Sequence, residues 1–235
     1  MNGTPPITLV LLPGMDGTGL LFAPFVRALP EWVKPLVVSY PGDRPLDYQG
    51  HLELVMAALP AREPFVLLGE SFSGPLALMV AAQRPRGLRG VILCATFIGW
   101  PLPLPPFAAG LIVSLGIFRL KSTRLFFRIV LGKNASPELR ELFPQALARL
   151  TPQVLAARAR GVMEVNCLEE LRSCPAPLLA LVADRDRIVD HRSPELMQLI
   201  RPDMEMVHFD SPHLVLQLAT LEAVRHICRF LESVR

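Results

Sequence analysis

A chain of 235 residues, 51% hydrophobic and 19% charged, is long enough to bury a large core and too apolar to be disordered. Its net charge of +3 is too small to point to nucleic acid, and no dense Lys/Arg stripe with interleaved aromatics occurs. The four cysteines, Cys94, Cys167, Cys174 and Cys228, lack metal-ligand spacing and are too few for a disulfide framework, which predicts reduced core residues in a cytoplasmic protein.

In chain order, the opening "MNGTPPITLVLLPG" has no basic n-region and an apolar run of single-strand length, so no signal peptide is expected. Short apolar runs at 7–13, 35–40, 65–69, 90–96, 177–183 and 204–209 read as strands. Most are continuously apolar rather than alternating, the pattern of strands buried on both faces of a parallel sheet. Helices are expected between them at about 19–29, 46–59, 73–84, 193–200 and 213–233. Strand and helix in alternation give an α/β fold with right-handed crossovers: a mostly parallel central sheet of about six strands with helices on both faces.

One interval breaks the rhythm. Residues 97–173 contain no convincing strand and read as helical, so the domain divides into a core of 1–96 and 174–235 and a helical cap, or lid, of 97–173. Proline at 101, 103, 105 and 106 interrupts its uncharged start, and "FAAGLIVSLGIF" is shorter than the roughly 20 residues a membrane span needs. Its excess apolar surface, with Phe97, Trp100, Phe107, Leu111 and Phe126 as candidates to line a substrate site, favours an apolar acyl group. Arg119, Lys121, Arg124, Arg128 and Lys133 form a basic run that reads either as a solvated helix face or as a dock for an acidic carrier or a membrane surface.

Ligands of open α/β sheets bind at the carboxyl ends of the strands, and there the sequence carries "LLPGMDGTG", "GESFSG", "ADRDRIVD" and "FDSPHLV". In "GESFSG", Ser71 is flanked two residues away by Gly69 and Ser73, small residues that a tight strand-to-helix turn demands. Centring the turn on Ser73 would put Pro75 at a flank, a poor fit, so Ser71 is the candidate nucleophile. A serine hydroxyl needs a base oriented by an acid. His213 follows the last strand at the same sheet end, whereas His208 and His226 fall inside elements and His51 and His191 fall out of order. Asp186 is the favoured acid, with Asp184 second and Asp190 third.

The order Ser71, Asp186, His213 on an α/β pattern resembles the α/β-hydrolase fold superfamily, over nearly all of residues 7–233, with "GESFSG", "DRIVD" and "SPHLVLQ" as signatures. The chain looks like the esterase-like bacterial members and more faintly like acyltransferases of the phytyl-ester-synthase type. That resemblance implies an oxyanion hole from the backbone N–H groups of Phe72 and Met15 and a serine esterase or thioesterase acting on an apolar acyl group, or an acyltransferase of the same fold. Pro13-Gly14 stands where many relatives have His-Gly, and Asp16 is expected to point away from the hole. "GMDGTG" lacks the dinucleotide spacing G-x-G-x-x-G, so neither that cofactor nor a metal is implied.

Overall fold

The computed structural model describes residues 6–101, 130–132 and 135–235. Six strands, β1 (Ile7–Leu12), β2 (Val33–Val37), β3 (Phe65–Glu70), β4 (Leu88–Cys94), β5 (Leu178–Ala183) and β6 (Glu205–Phe209), form one sheet in the order β2-β1-β3-β4-β5-β6. Every pairing is parallel, with Val10 opposite both Leu36 and Leu67.

The continuous apolar runs follow from two cores. Side chains alternate along a strand, so Ile7, Leu9 and Leu11 enter one core while Val10 and Leu12 enter the other. Val66 and Leu68 lie on the first side, Phe65 and Leu67 on the second. Helices α1 (Ala23–Ala28) and α2 (Tyr48–Ala58) flank β2, and α3 (Ser73–Ala82) leaves β3 directly. Between β4 and β5 come α4 (Pro137–Ala148), α5 (Pro152–Glu164) and α6 (Leu168–Arg172), followed after β5 by α7 (Arg192–Ile200) and after β6 by α8 (Val215–Leu218) and α9 (Thr220–Ser233). Ser136 and Thr151 cap α4 and α5 by accepting the N–H of Leu139 and Val154.

Several boundaries differ from the sequence reading: β4 starts and ends two residues earlier than 90–96. The second strand occupies 33–37 rather than 35–40; the Val38 N–H is still donated to the Leu11 carbonyl of β1 at 3.0 Å, but the Tyr40 N–H goes to the Gly17 carbonyl at 2.7 Å. Proline at 35 is tolerated because β2 is an edge strand. The expected helix of 213–233 begins at Val215 and is re-set at Ala219 (φ −118°), which leaves His213 and Leu214 in a loop instead of helix.

The described part of the 97–173 interval is helical and lies on the sheet's carboxyl end. Val130, Leu131, Leu139 and Phe143 pack with Leu21 and Leu214, and Arg27 grips Glu138 with two 2.7 Å contacts. Phe107, Leu111 and Phe126, and the basic residues Arg119, Lys121, Arg124, Arg128 and Lys133, lie outside the described residues.

Candidate functional site

The site is built on the sharp turn from β3 into α3. Ser71 sits at φ 52°, in the left-handed region that non-glycine residues seldom occupy. Its N–H is donated to the Cys94 carbonyl at 2.9 Å, and its carbonyl accepts from the Gly74 N–H at 3.0 Å and the Thr96 hydroxyl at 2.5 Å. With both backbone groups tied, the side chain projects from a fixed platform.

Close packing dictates the small residues. A Cβ on Gly69 would lie 2.3 Å from the Ser73 carbonyl oxygen, and one on Gly74 would lie 2.0 Å from Thr96 Oγ1. Gly69→Ala is expected to cost about 1–3 kcal/mol, read as a lower melting temperature, because backbone rather than a movable side chain stands in the way. Ser73 is accommodated where a glycine is the rule because its hydroxyl has partners: it donates to the Pro13 carbonyl at 2.5 Å and accepts from Tyr40 at 2.7 Å. It makes no helix-capping bond.

Ser71, His213 and Asp186 form one hydrogen-bonded row. His213 Nε2 lies 2.8 Å from Ser71 Oγ, and His213 Nδ1 lies 2.7 Å from Asp186 Oδ2. An ionised carboxylate only accepts, so Nδ1 carries the proton and Nε2 is left to accept from the serine. The other carboxylate oxygen, Oδ1, accepts the N–H groups of Ile188 at 2.7 Å and Val189 at 3.0 Å, which fixes the carboxylate plane. Ser71 and His213 are buried, and the Asp186 side chain is 8% exposed. The structure brings together the three residues picked from the sequence and sets the rivals aside. Asp184 is 2.7 Å from Nδ1 of exposed His208, and Asp190 pairs with Arg192. His51 donates to the Asp47 carbonyl.

The loop after β1 lies against Ser71, since a Cβ on Gly14 would sit 3.7 Å from Ser71 Cβ. Gly14 to Gly17 form a tight turn closed by the Gly17 N–H on the Gly14 carbonyl at 3.0 Å. Among the described residues neither the Met15 nor the Phe72 N–H is donated to a partner. Asp16 is turned into its own loop, where Oδ2 accepts the Thr18 N–H at 2.9 Å and the Thr18 hydroxyl at 2.6 Å. Burial raises its pKa, opposed by the Thr18 donors and by Arg158. Phe97 is buried and Trp100 packs partly buried against the same core, both within the residues that open the helical interval.

Two buried charges escaped the sequence reading. Glu70, the residue before Ser71, is 2% exposed and accepts from Gln217 Nε2 at 3.0 Å. Burial lifts its pKa to about 7 and the negative charge of Asp16 adds to the rise, while the Gln217 donor and His213 act in the opposite direction. The unfolded chain releases this proton near 4.5 and the folded protein near 7, so the folded state binds more protons between them. The stability this contributes is full below pH 4.5 and is lost as pH rises through 7. Glu70→Gln, which cannot titrate, is therefore expected to gain melting temperature relative to the parent on going from pH 5 to pH 8; a pH-independent difference would remove Glu70 from that role. The second charge, Arg158 of α5, is 1% exposed and sits on the apolar stripe of Val154, Leu155 and Val162. A cation at that helical spacing was the signal available in the sequence.

Among the described residues no cluster of His, Cys, Asp or Glu is placed to hold a metal, and no helix is long and apolar enough to cross a membrane. The chain is similar to phytyl ester synthase 1 of Arabidopsis thaliana, 37% identical over 83 residues, and to polyketide synthase ThaQ of Burkholderia thailandensis, 34% identical over 107 residues. Those matches cover 33% and 42% of this chain but only 12% and 5% of the much longer relatives. Its fold is that of an esterase from Exiguobacterium antarcticum, with a TM-score of 0.83 at 14% identity, covering 97% of this chain and 92% of the other. The model of the alpha/beta hydrolase family matches residues 9–226, nearly the whole chain, and to that family the protein belongs.

Proposed function

We propose that the protein is a serine hydrolase that cleaves carboxylic esters or thioesters with an apolar acyl group. The observation that carries this reading is the hydrogen-bonded row of Ser71, His213 and Asp186 at 2.8 and 2.7 Å. Ser71 Oγ attacks the carbonyl carbon while its proton passes to His213 Nε2, and Asp186 holds the imidazole and its new charge. The carbonyl oxygen, now an alkoxide, takes the Met15 and Phe72 N–H groups; each fixed donor contributes about 3 kcal/mol to such a transition state. Collapse expels the alcohol or thiol, which leaves with the proton from His213. Water then attacks the acyl-serine, gives its second proton to His213, and releases the acid as Ser71 regains its hydrogen.

The apolar acyl preference is supported by the described part of the 97–173 interval, where Leu139 and Phe143 pack beside Leu214 and Phe97 and Trp100 lie at its start. Four unpaired cysteines favour a cytoplasmic setting. A panel of nitrophenyl esters and acyl thioesters of graded chain length tests the reading: turnover is expected to rise with acyl length before it falls. No turnover of any member, with no labelling by a fluorophosphonate, would overturn it.

Acyl transfer to an alcohol is the second reading, favoured by the likeness to a protein named for ester synthesis. It differs only in the molecule that attacks the acyl-serine. Adding a long-chain alcohol and measuring new ester against free acid separates the two.

A further inference from the structure

Arg158 is an expensive residue to bury. It is 1% exposed, no carboxylate lies within 4 Å of it among the described residues, and its Nε has no partner. The Asp16 carboxylate acts on it through space without a direct ion pair, and removing a guanidinium from water costs several kcal/mol in general, so the carbonyl groups that bind it carry weight. Nη1 donates to the Met15 carbonyl at 2.8 Å and Nη2 to the Pro41 carbonyl at 3.0 Å. The guanidinium lies on Gly17, where a Cβ would come within 2.4 Å of Nη1, and 5.6 Å from the Tyr40 ring centroid. The Tyr40 hydroxyl reaches Ser73, whose own hydroxyl holds the Pro13 carbonyl. The turn from Pro13 to Gly17 is thus gripped at both ends, from the core through Ser73 and from α5 through Arg158.

We propose that Arg158 is a positioning residue for the oxyanion loop: by binding the Met15 carbonyl it fixes the Met15–Asp16 peptide and so holds in place the loop that carries the Met15 N–H beside Ser71. The proposal rests on the assignment of Met15 as an oxyanion donor. The planar fork suits the task, because two carbonyls on separate loops are held by one rigid group. It also makes α5 part of the apparatus that positions the loop, since without that helix only the Ser73 hold on Pro13 remains.

The test uses Arg158→Met and Arg158→Lys in the full chain, with a short ester substrate and active sites counted by fluorophosphonate titration. In Arg158→Met, kcat per titrated site is expected to fall 10- to 100-fold, with KM within about twofold. The affinity for a trifluoromethyl ketone, whose adduct carries the oxyanion, falls by the same factor as kcat/KM. Arg158→Lys, which reaches one carbonyl at a time, is expected to lose about tenfold and stands in if the methionine variant does not fold. A purely structural role would lower the melting temperature and the number of titrated sites but leave kcat per site and inhibitor affinity unchanged. Wild-type values per site in either variant overturn the proposal. A parent protein inert to both probes overturns the hydrolase reading itself, and the role of Arg158 with it.

Discussion

Ser71→Ala is expected to lower kcat for ester cleavage by about 10⁶-fold and to abolish fluorophosphonate labelling, with little change in melting temperature. The reason for so large a loss with so small a structural effect lies in how the serine is held. Its backbone N–H and carbonyl carry three hydrogen bonds that alanine keeps, to Cys94, Gly74 and Thr96. The φ of 52° is equally strained for serine and alanine, so the turn survives. Only Oγ is lost, and with it the atom 2.8 Å from His213 Nε2. Some rate above that in water should persist, about 10³- to 10⁴-fold from the remaining donors and binding. Undiminished labelling of the alanine variant would place the nucleophile elsewhere.

Asp186→Asn is expected to lower kcat by about 10⁴-fold, whereas Asp184→Asn should stay within about threefold of the parent. The two carboxylates stand two residues apart and look alike in sequence, yet their surroundings differ. Asp186 is buried and triply bonded, to His213 and to the N–H groups of Ile188 and Val189. In the asparagine variant those two N–H groups continue to claim a carbonyl oxygen, which turns the NH₂ group toward His213 Nδ1. That nitrogen must then accept, the ring proton moves to Nε2, and Ser71 loses its proton acceptor. Asp184 faces only exposed His208 across the solvent-screened surface. Kinetics at saturating substrate for both variants decide it, and equal losses would mean that the acid is shared or misassigned.

The sheet was legible because burial on both faces leaves a mark that survives without coordinates. The strands β1, β3, β4 and β5 are apolar at consecutive positions, and each side chain has a core to enter. Edge strand β2 is harder: Lys34 and Pro35 are both exposed, so the apolar run that marks it in the sequence starts two residues after the strand does. The candidate site was legible where residue type and local spacing suffice. Ser71 needed a small flank at Gly69, and His213 needed only to follow the last strand. What sequence spacing leaves open depends on partners distant in the chain, as with Asp184, which lies 2.7 Å from His208. Arg158 and Arg160 lie in one run, "AARARG"; helical spacing puts only the first on the apolar stripe of Val154, Leu155 and Val162, and the docking of α5 buries it while Arg160 stays exposed. Glu70 hid in the same way, as the polar end of an apolar strand whose neighbour Gln217 lies on a different helix.

The long interval between β4 and β5 also shapes how the chain must assemble. Val91 pairs with Leu178, so the sheet cannot be completed until the ends of the whole intervening segment meet. The entropic cost of closing such a loop grows only logarithmically, about 0.6 kcal/mol for each doubling of its length. Lengthening or trimming that segment by a few residues is therefore expected to carry a small thermodynamic cost, provided α5 still docks with Arg158 over Gly17.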